Sequence, residues 1–423
     1  METLTLLEHD TLPIVARRSP GQHAISQEHA HALARLEPDL PAGAFRWGYN
    51  AIKFAQYCGV IALGDLSLEI LPKIYGKETE PGASRRALIR MLYKARRLKP
   101  QRGGTASIAL QKHVLLDVFV LHFCEQLHTE LMQGMIRHYV ERQENLPVWR
   151  GRLRIEQQLK MNLVHRERLF CQYDELSADN AYNQVLKAVL RLLLRLPLGN
   201  QVRKQLTELW MRFDPISDVE ANTGMLERLS FDRSNSRYEP IFEQCRWFIE
   251  GFHPDVLAGQ ASCLTLLFDM NRLFEAYVAS ELRQLAWKQG LRLREQGPQR
   301  YLARREDNHE SLFLMKPDMA FLDINNHVLI IADSKWKLLD EREKKLRITQ
   351  SDLYQMTSYA VRYGVTRLAL VYPHQQWLTQ PVTLRLQGAS ATLTVIPLDV
   401  TSSQGVVDFP WFTGNSVFEI LEK

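Results

Sequence analysis

Long apolar runs are missing from this 423-residue chain. No stretch reaches the roughly 18 residues that a membrane span needs, so no transmembrane helix is expected. The opening METLTLLEHD carries acids where a secretory leader has a basic start and an apolar core, and it is read as lacking a leader. Cysteine is scarce and scattered: Cys58, Cys124, Cys171, Cys245 and Cys263 stand singly, with no CxxC. That argues against a zinc ribbon or a disulfide framework and for a reducing cytoplasm. No HExxH occurs among the 13 histidines. Only His29 and His31 lie close together, with no third ligand near them, so no histidine metal site is expected. The phosphate-cradling pattern GxxxxGK[ST] is absent as well. GVIALGD, at 59–65, keeps two glycines but lacks the lysine and hydroxyl. A nucleotide-driven motor, if one is needed, must come from another chain.

What is present is the composition of a soluble globular protein, 45% hydrophobic and 24% charged, long enough for two or three domains. The net charge is only +5, but its distribution is uneven. SRRALIRMLYKARRLKPQR holds Arg85, Arg86, Arg90, Lys94, Arg96, Arg97, Lys99 and Arg102 without one acid. Leu88, Leu92 and Ala95 keep helical spacing, so an amphipathic basic helix is expected. Two readings stay open for it: a solvated helix face, or phosphate contact with DNA through Arg85, Arg86, Arg90, Lys94 and Arg97.

Three regions follow from the patterning. Residues 1–110 read as β-rich, with a hairpin in GVIALGDLSLEILPKI turning at Gly64-Asp65, closed by Pro72 and followed by the loop YGKETEPGAS and the basic helix. Residues 111–260 read as helical, from HVLLDVFVLHFCEQLHTELMQGMI and NAYNQVLKAVLRLLLRL, with LPVWRGRLRIEQQL as a loop and short strand. Residues 261–423 read as a compact α/β domain with a mixed sheet. A helix at Asn271–Lys288 precedes strands near 312–322 and 328–336, and a helix near 349–363 precedes strands at RLALVYP, VTLRLQ and ATLTVIPL.

The stretch LMKPDMAFLDINNHVLIIADSKWKLL concentrates the chemistry. Asp318, Asp333 and Lys335 interrupt strands that are otherwise apolar. Asp333 and Lys335 are i and i+2, so they project from one strand face. The turn DINN (Asp323–Asn326) lets the Asp318 and Asp333 strands pair antiparallel, which can bring both acids together. Two close carboxylates resist joint ionisation unless a cation lies between them, and Mg²⁺ suits such an oxygen site. A metal there activates water and stabilises phosphate charge, with a lysine orienting or deprotonating the water. The bland alternative is an edge strand whose charges face water. In LYQMTSYAVRY, Gln355 and Tyr359 are i and i+4 on one helix face and could touch substrate, or could be a surface pair.

P-D, then D-x-K, then Q-x-x-x-Y resembles the PD-(D/E)xK nuclease superfamily. The helix DMNRLFEAYVASELRQLA resembles its first helix, which implies a metal-binding glutamate: Glu275, with Glu281 as rival. LEILPKI, WRGRLRI, YDELSADNAYNQVLKAVLRLLL, MNRLFEAYV, KPDMAF, IIADSKWK, LYQMTSYA and LALVYPH fall in an order similar to the McrC family, over about residues 45–400. McrC proteins are the nuclease subunits of McrBC-type, modification-dependent restriction systems. The resemblance implies a type II-like, Mg²⁺-dependent endonuclease, with Mn²⁺ able to substitute, acting on double-stranded, modified DNA such as 5-methylcytosine DNA in anti-phage defence. It implies Asp318 and Asp333 as ligands, Lys335 as catalytic base or water-positioning residue, and Gln355 and Tyr359 as support. It also implies a hexameric AAA+ GTPase partner of McrB type, with GTP bound only there and the N-terminal part docking into its ring. The alternative is a regulatory or assembly subunit that activates a GTPase, with the nuclease fold secondary or inactive.

Overall fold

The structure, a computed structural model, describes residues 2–95, 114–164, 167–220, 222–253, 263–337, 348–375 and 378–402. It is a mixed α+β molecule that divides into two units, each assembled from separate stretches of chain. One holds Met1–Thr3, Val60–Ser67 and His113–Leu266; the other holds Leu4–Gly59, Leu68–Lys112 and Leu267–Lys423. Among the described residues no helix is long and apolar enough to cross a membrane. All five cysteines are buried and unpaired.

The first unit contains the expected helices Leu115–Leu131 and Ala181–Leu194, together with Asn200–Arg212 and Glu239–Glu250. Asn180 caps Ala181–Leu194 by accepting from the Tyr182 and Asn183 N–H groups, and Val185, Leu186, Val189, Leu190 and Leu193 form its buried stripe. The short strand Arg152–Leu153 lies in the expected interruption. The surprise is around it. His138–Leu146 and Leu169–Ser177 pair antiparallel over their full length, and Arg152–Leu153 adds a third strand. These strands escaped sequence reading because HYVERQENL is mostly polar, so neither a helical nor a strand period shows in it. Tyr139, Val148, Trp149, Ile155, Leu163 and Val164, in and around this small sheet, all turn large apolar side chains to solvent.

The second unit begins β-rich, as expected, with strands Thr11–Val15, Ile25–Ser26, Phe45–Gly48 and Ala51–Phe54 in one sheet. The hairpin strands Tyr57–Leu63 and Leu66–Leu71, of which Val60–Ser67 belongs to the first unit, are neighbours in another sheet. Gly64 between them has φ +63°, a conformation glycine adopts without steric cost. The basic helix is present over Pro81–Ala95; Arg96, Arg97, Lys99 and Arg102 lie outside the described residues.

A six-stranded mixed sheet carries the C-terminal half of this unit. Its order is Arg292–Glu295, Met319–Leu322, Val328–Ser334, Arg367–Pro373, Thr392–Leu398, Val382–Arg385. Met319–Leu322 runs antiparallel to Val328–Ser334, which runs parallel to Arg367–Pro373. Ala320, Leu322, Ile331, Leu368, Leu370 and Tyr372 share one face with Met356, Tyr359, Ala360 and Tyr363 of helix Gln350–Tyr363. Each large aliphatic side chain buried there contributes about 1.5–3 kcal/mol. That helix is bounded as a surface-to-core helix should be. Thr349 accepts from the Asp352 N–H at its start, and Gly364 ends it with φ +67°, returning its N–H to the Ala360 carbonyl.

Candidate active site on two paired strands

Met319 is paired with Ala332 across the antiparallel strands. Asp318 immediately precedes Met319 and Asp333 immediately follows Ala332, so this register brings both acids to the same end of the pair. Asp333 shares the face of Ile331, the face covered by helix Gln350–Tyr363. It is fully buried, and Lys335 meets it with Nζ 2.5 Å from Oδ2. Gln355 donates to Asp333 Oδ1 at 3.4 Å and to the Tyr359 hydroxyl at 2.9 Å. The expected Gln–Tyr pair is therefore real, and Tyr359 is buried, so it is not a surface pair. Asp318 is held differently. Its Oδ2 accepts from the Ser334 backbone N–H at 3.0 Å and from Ser334 Oγ at 3.3 Å, and its carbonyl accepts from Gln296 N–H at 2.8 Å.

The electrostatics of this cluster follow from burial. Burial first, and then the neighbouring Asp318 charge, push the Asp333 carboxyl up to about 7 against the pull of Lys335. Burial also raises Asp318, although the Ser334 N–H and the Lys335 charge pull it back. Glu275 is raised by burial and by Asp318. Burial opposes the Lys335 charge, yet Asp333, Asp318 and Asp352 outweigh it and hold the ammonium above its ordinary range. Acids that resist ionising together form a place where a cation is favoured.

The donor set is oxygen-only, which fits a hard divalent cation. Mg²⁺ is commonly held by one or two carboxylates with waters completing its shell, and Asp318 and Asp333 supply that number. Among the described residues no group of three acidic, histidine or cysteine side chains is gathered in metal-holding geometry. Glu275 neighbours Asp318 electrostatically but accepts from Gln296 Nε2. Its rival Glu281 is buried and ion-paired with Lys94.

The candidate DNA-contacting face is spent largely inside the fold. Arg85 is buried and donates through Nε and Nη2 to both oxygens of the fully buried Glu69, 2.6 Å each. Arg90 donates to the carbonyls of Val400 and Ser402, and Lys94 to Glu281. Arg86 is half-buried, and Arg97 lies outside the described residues. The spacing was that of a helix with a basic face; which acids and carbonyls pack against it is tertiary information.

Several participants left no signal in the sequence. Ser334 matters only because its N–H faces Asp318. Asp352 is buried, ion-paired with Lys337 at 2.5 Å, and accepts from the Tyr372 hydroxyl at 3.2 Å, forming a second charged layer behind the site.

A family model described as McrBC 5-methylcytosine restriction system component matches residues 52–373. A chain of the refined half-complex from the tetradecameric assembly of Thermococcus gammatolerans McrB AAA+ hexamers with bound McrC is similar, with a TM-score of 0.73. It is 23% identical, and the match covers 95% of this chain and 96% of that one. At that identity the likeness shows the fold. A chain of the cryo-EM structure of the Thermococcus gammatolerans McrBC complex is 27% identical with a TM-score of 0.53, over 67% of this chain and 88% of that one. No curated protein matches the sequence.

Proposed function

The chain belongs to the McrBC 5-methylcytosine restriction system component family, and we propose that it is the DNA-cutting subunit of such a system. In this reading it is a PD-(D/E)xK endonuclease of the cytoplasm that uses Mg²⁺, with Mn²⁺ as a substitute, and residues 261–423 carry the cutting chemistry. The observation that carries the reading is the meeting of Asp318 and Asp333 at one end of two paired strands, with the Lys335 ammonium 2.5 Å from Asp333.

Asp318 and Asp333 would hold the metal, and Glu275 beside Asp318 would add to the negative field. When bound, Mg²⁺ supplies an activated water and neutralises charge on the scissile phosphate. The protein's own groups do the rest. Ser334 fixes the Asp318 carboxylate so that one of its oxygens keeps its direction. Gln355, braced on Tyr359, fixes Asp333 from the helix side. Lys335 is held protonated, so it is suited to orienting the attacking water and offsetting phosphate charge rather than to taking a proton as found.

The partner in this reading is an AAA+ GTPase ring of McrB type, which binds the GTP. McrC in the Thermococcus gammatolerans assembly is bound to McrB AAA+ hexamers. The exposed Tyr139, Val148, Trp149, Ile155, Leu163 and Val164 support a contact of that kind, because large apolar side chains left in solvent are what a partner's surface can cover. The same surface is what favours the second reading, a subunit that activates the GTPase without cutting.

One experiment separates the two. Asp333→Ala is assembled with its GTPase partner, and DNA cleavage and GTP hydrolysis are measured in the same reaction. Cleavage is expected to fall about 10³-fold or more, a loss of about 4 kcal/mol of transition-state stabilisation, with GTPase stimulation retained. Cleavage at the wild-type rate refutes the nuclease assignment.

A further inference from the structure

Glu8 is a carboxylate sealed into the second unit, 3% exposed, at the end of the N-terminal strand Glu2–Leu7. Its Oε1 accepts twice at 2.9 Å, from the backbone N–H of Lys73 and from the indole Nε1 of Trp336. Its other oxygen lies 3.9 Å from His9 Nε2. A buried carboxylate is costly unless it is put to use, and an apolar residue would end this strand more cheaply.

The indole is the informative partner. Trp336 directly follows Lys335 and projects, like Ser334, away from the face of Asp333 and Lys335. Its ring packs on Phe274 with centroids 5.2 Å apart, and Phe274 directly precedes Glu275. The chain just past the strand is thus pinned at three successive residues. Ser334 N–H is bound to Asp318, Lys335 N–H to the Val371 carbonyl at 2.9 Å, and Trp336 Nε1 to Glu8.

We propose that Glu8 is a positioning residue for the cutting site: by anchoring the Trp336 indole it fixes the run Asp333–Trp336, so the N-terminal strand completes the site. The proposal rests on the reading of Asp318, Asp333 and Lys335 as that site. With the anchor in place the indole is fixed by a directional hydrogen bond as well as by packing. Without it the indole keeps its packing, including the Phe274 ring, but loses its hydrogen bond, and the run bearing Asp333 and Lys335 gains freedom. Misplacement of reacting groups by about 1 Å costs about 10²-fold in rate, and residues behind a metal's ligands change its affinity by about 10–100-fold. The N-terminal segment therefore has a task within this chain, apart from any partner it docks on.

The test uses the full chain assembled with its GTPase partner. Glu8→Ala, Glu8→Gln, Trp336→Phe and the double variant Glu8→Ala/Trp336→Phe are compared in kcat, in KM for DNA, and in Mg²⁺ affinity by titration calorimetry. Glu8→Ala and Trp336→Phe are each expected to lower kcat and Mg²⁺ affinity about tenfold, with KM for DNA unchanged. Glu8→Gln keeps an oxygen for both hydrogen bonds and stays near wild type. The double variant is no worse than either single one, because both break the same bond. Wild-type kcat and Mg²⁺ affinity in the single variants overturn the proposal. So do losses that merely track the unfolded fraction in a thermal melt, or losses that multiply in the double variant. A failure of the underlying reading looks different: Asp333→Ala binds Mg²⁺ and cuts like wild type, and the proposal falls with it.

Discussion

The six-stranded sheet of one unit and the three-stranded sheet of the other treat polarity in opposite ways. In the first, Asp333 is fully buried, and Asp352 on the helix packed against it is nearly so. In the second, strand His138–Leu146 is largely polar and Tyr139, Val148 and Trp149 stand in solvent. A chain concerned only with stability would do neither. Buried acids cost free energy, and exposed large apolar side chains lower solubility. The difference separates two tasks. On the proposed function, charge is buried where reacting groups must be held rigidly at low dielectric, and apolar surface is left open for a partner chain to cover.

After Asp333→Ala, the largest expected effect on cleavage breaks the first half of that contrast. Lys335→Ala is expected to reduce cleavage about 10²–10³-fold while GTPase stimulation by the complex is kept, read in a coupled cleavage and GTP-hydrolysis assay. A variant that loses both activities together would show that the two tasks are not separate.

On stability, the largest expected effect is that of Arg85→Ala. It takes the guanidinium away from the buried Glu69 carboxylate, whose Oε2 also accepts from the Thr5 hydroxyl, and should destabilise the protein by about 3–5 kcal/mol in urea unfolding. The salt dependence of DNA affinity should not change, since the guanidinium faces Glu69 rather than solvent. A reduced salt slope without loss of stability would restore Arg85 as a phosphate contact.

The Asp333 carboxyl gives a pH test. Its folded-state value, about 7, lies above that of an unfolded aspartate, so the folded protein binds this proton more tightly. Its contribution to stability is full at low pH and is lost as pH rises from about 4 to about 7. Melting temperature in EDTA should therefore fall over that window, the fall should shrink in Asp333→Asn, and added Mg²⁺ should raise the melting temperature more at pH 8 than at pH 5. An equal Mg²⁺ effect at both values would count against a metal at this acid.

The smallest effect on stability belongs to the exposed surface. Trp149→Ala should change unfolding free energy by no more than about 0.5 kcal/mol and weaken binding to the GTPase partner by about 2 kcal/mol. Unchanged partner affinity, by calorimetry, would leave Trp149 without that role.

The strands and helices around the site were legible because their apolar residues keep a clear period. The strand RLALVYP and the helix near 349–363 are found within a residue or two of where periodicity puts them. Strands His138–Leu146 and Leu169–Ser177 were not legible, because polar residues dominate the one and neither shows a clean period. In the candidate site, Asp318, Asp333, Lys335, Gln355 and Tyr359 could be proposed from spacing, since i, i+2 and i, i+4 relations are properties of isolated strands and helices. Ser334, Glu8 and Trp336 could not, because each matters through a contact distant along the chain.

The sequence alone determined which residues could share a strand face or a helix face, and so that two acids and a lysine would stand together if the two strands paired. Local geometry follows from backbone period, which needs no knowledge of the rest of the chain. Only the tertiary structure decided that Arg85 answers Glu69, that Lys94 takes Glu281, and that Glu8 reaches the indole beside Lys335 across 328 residues of sequence. Buried charges find their partners by how the elements pack, and that packing is set by the sum of many apolar contacts rather than by any one motif.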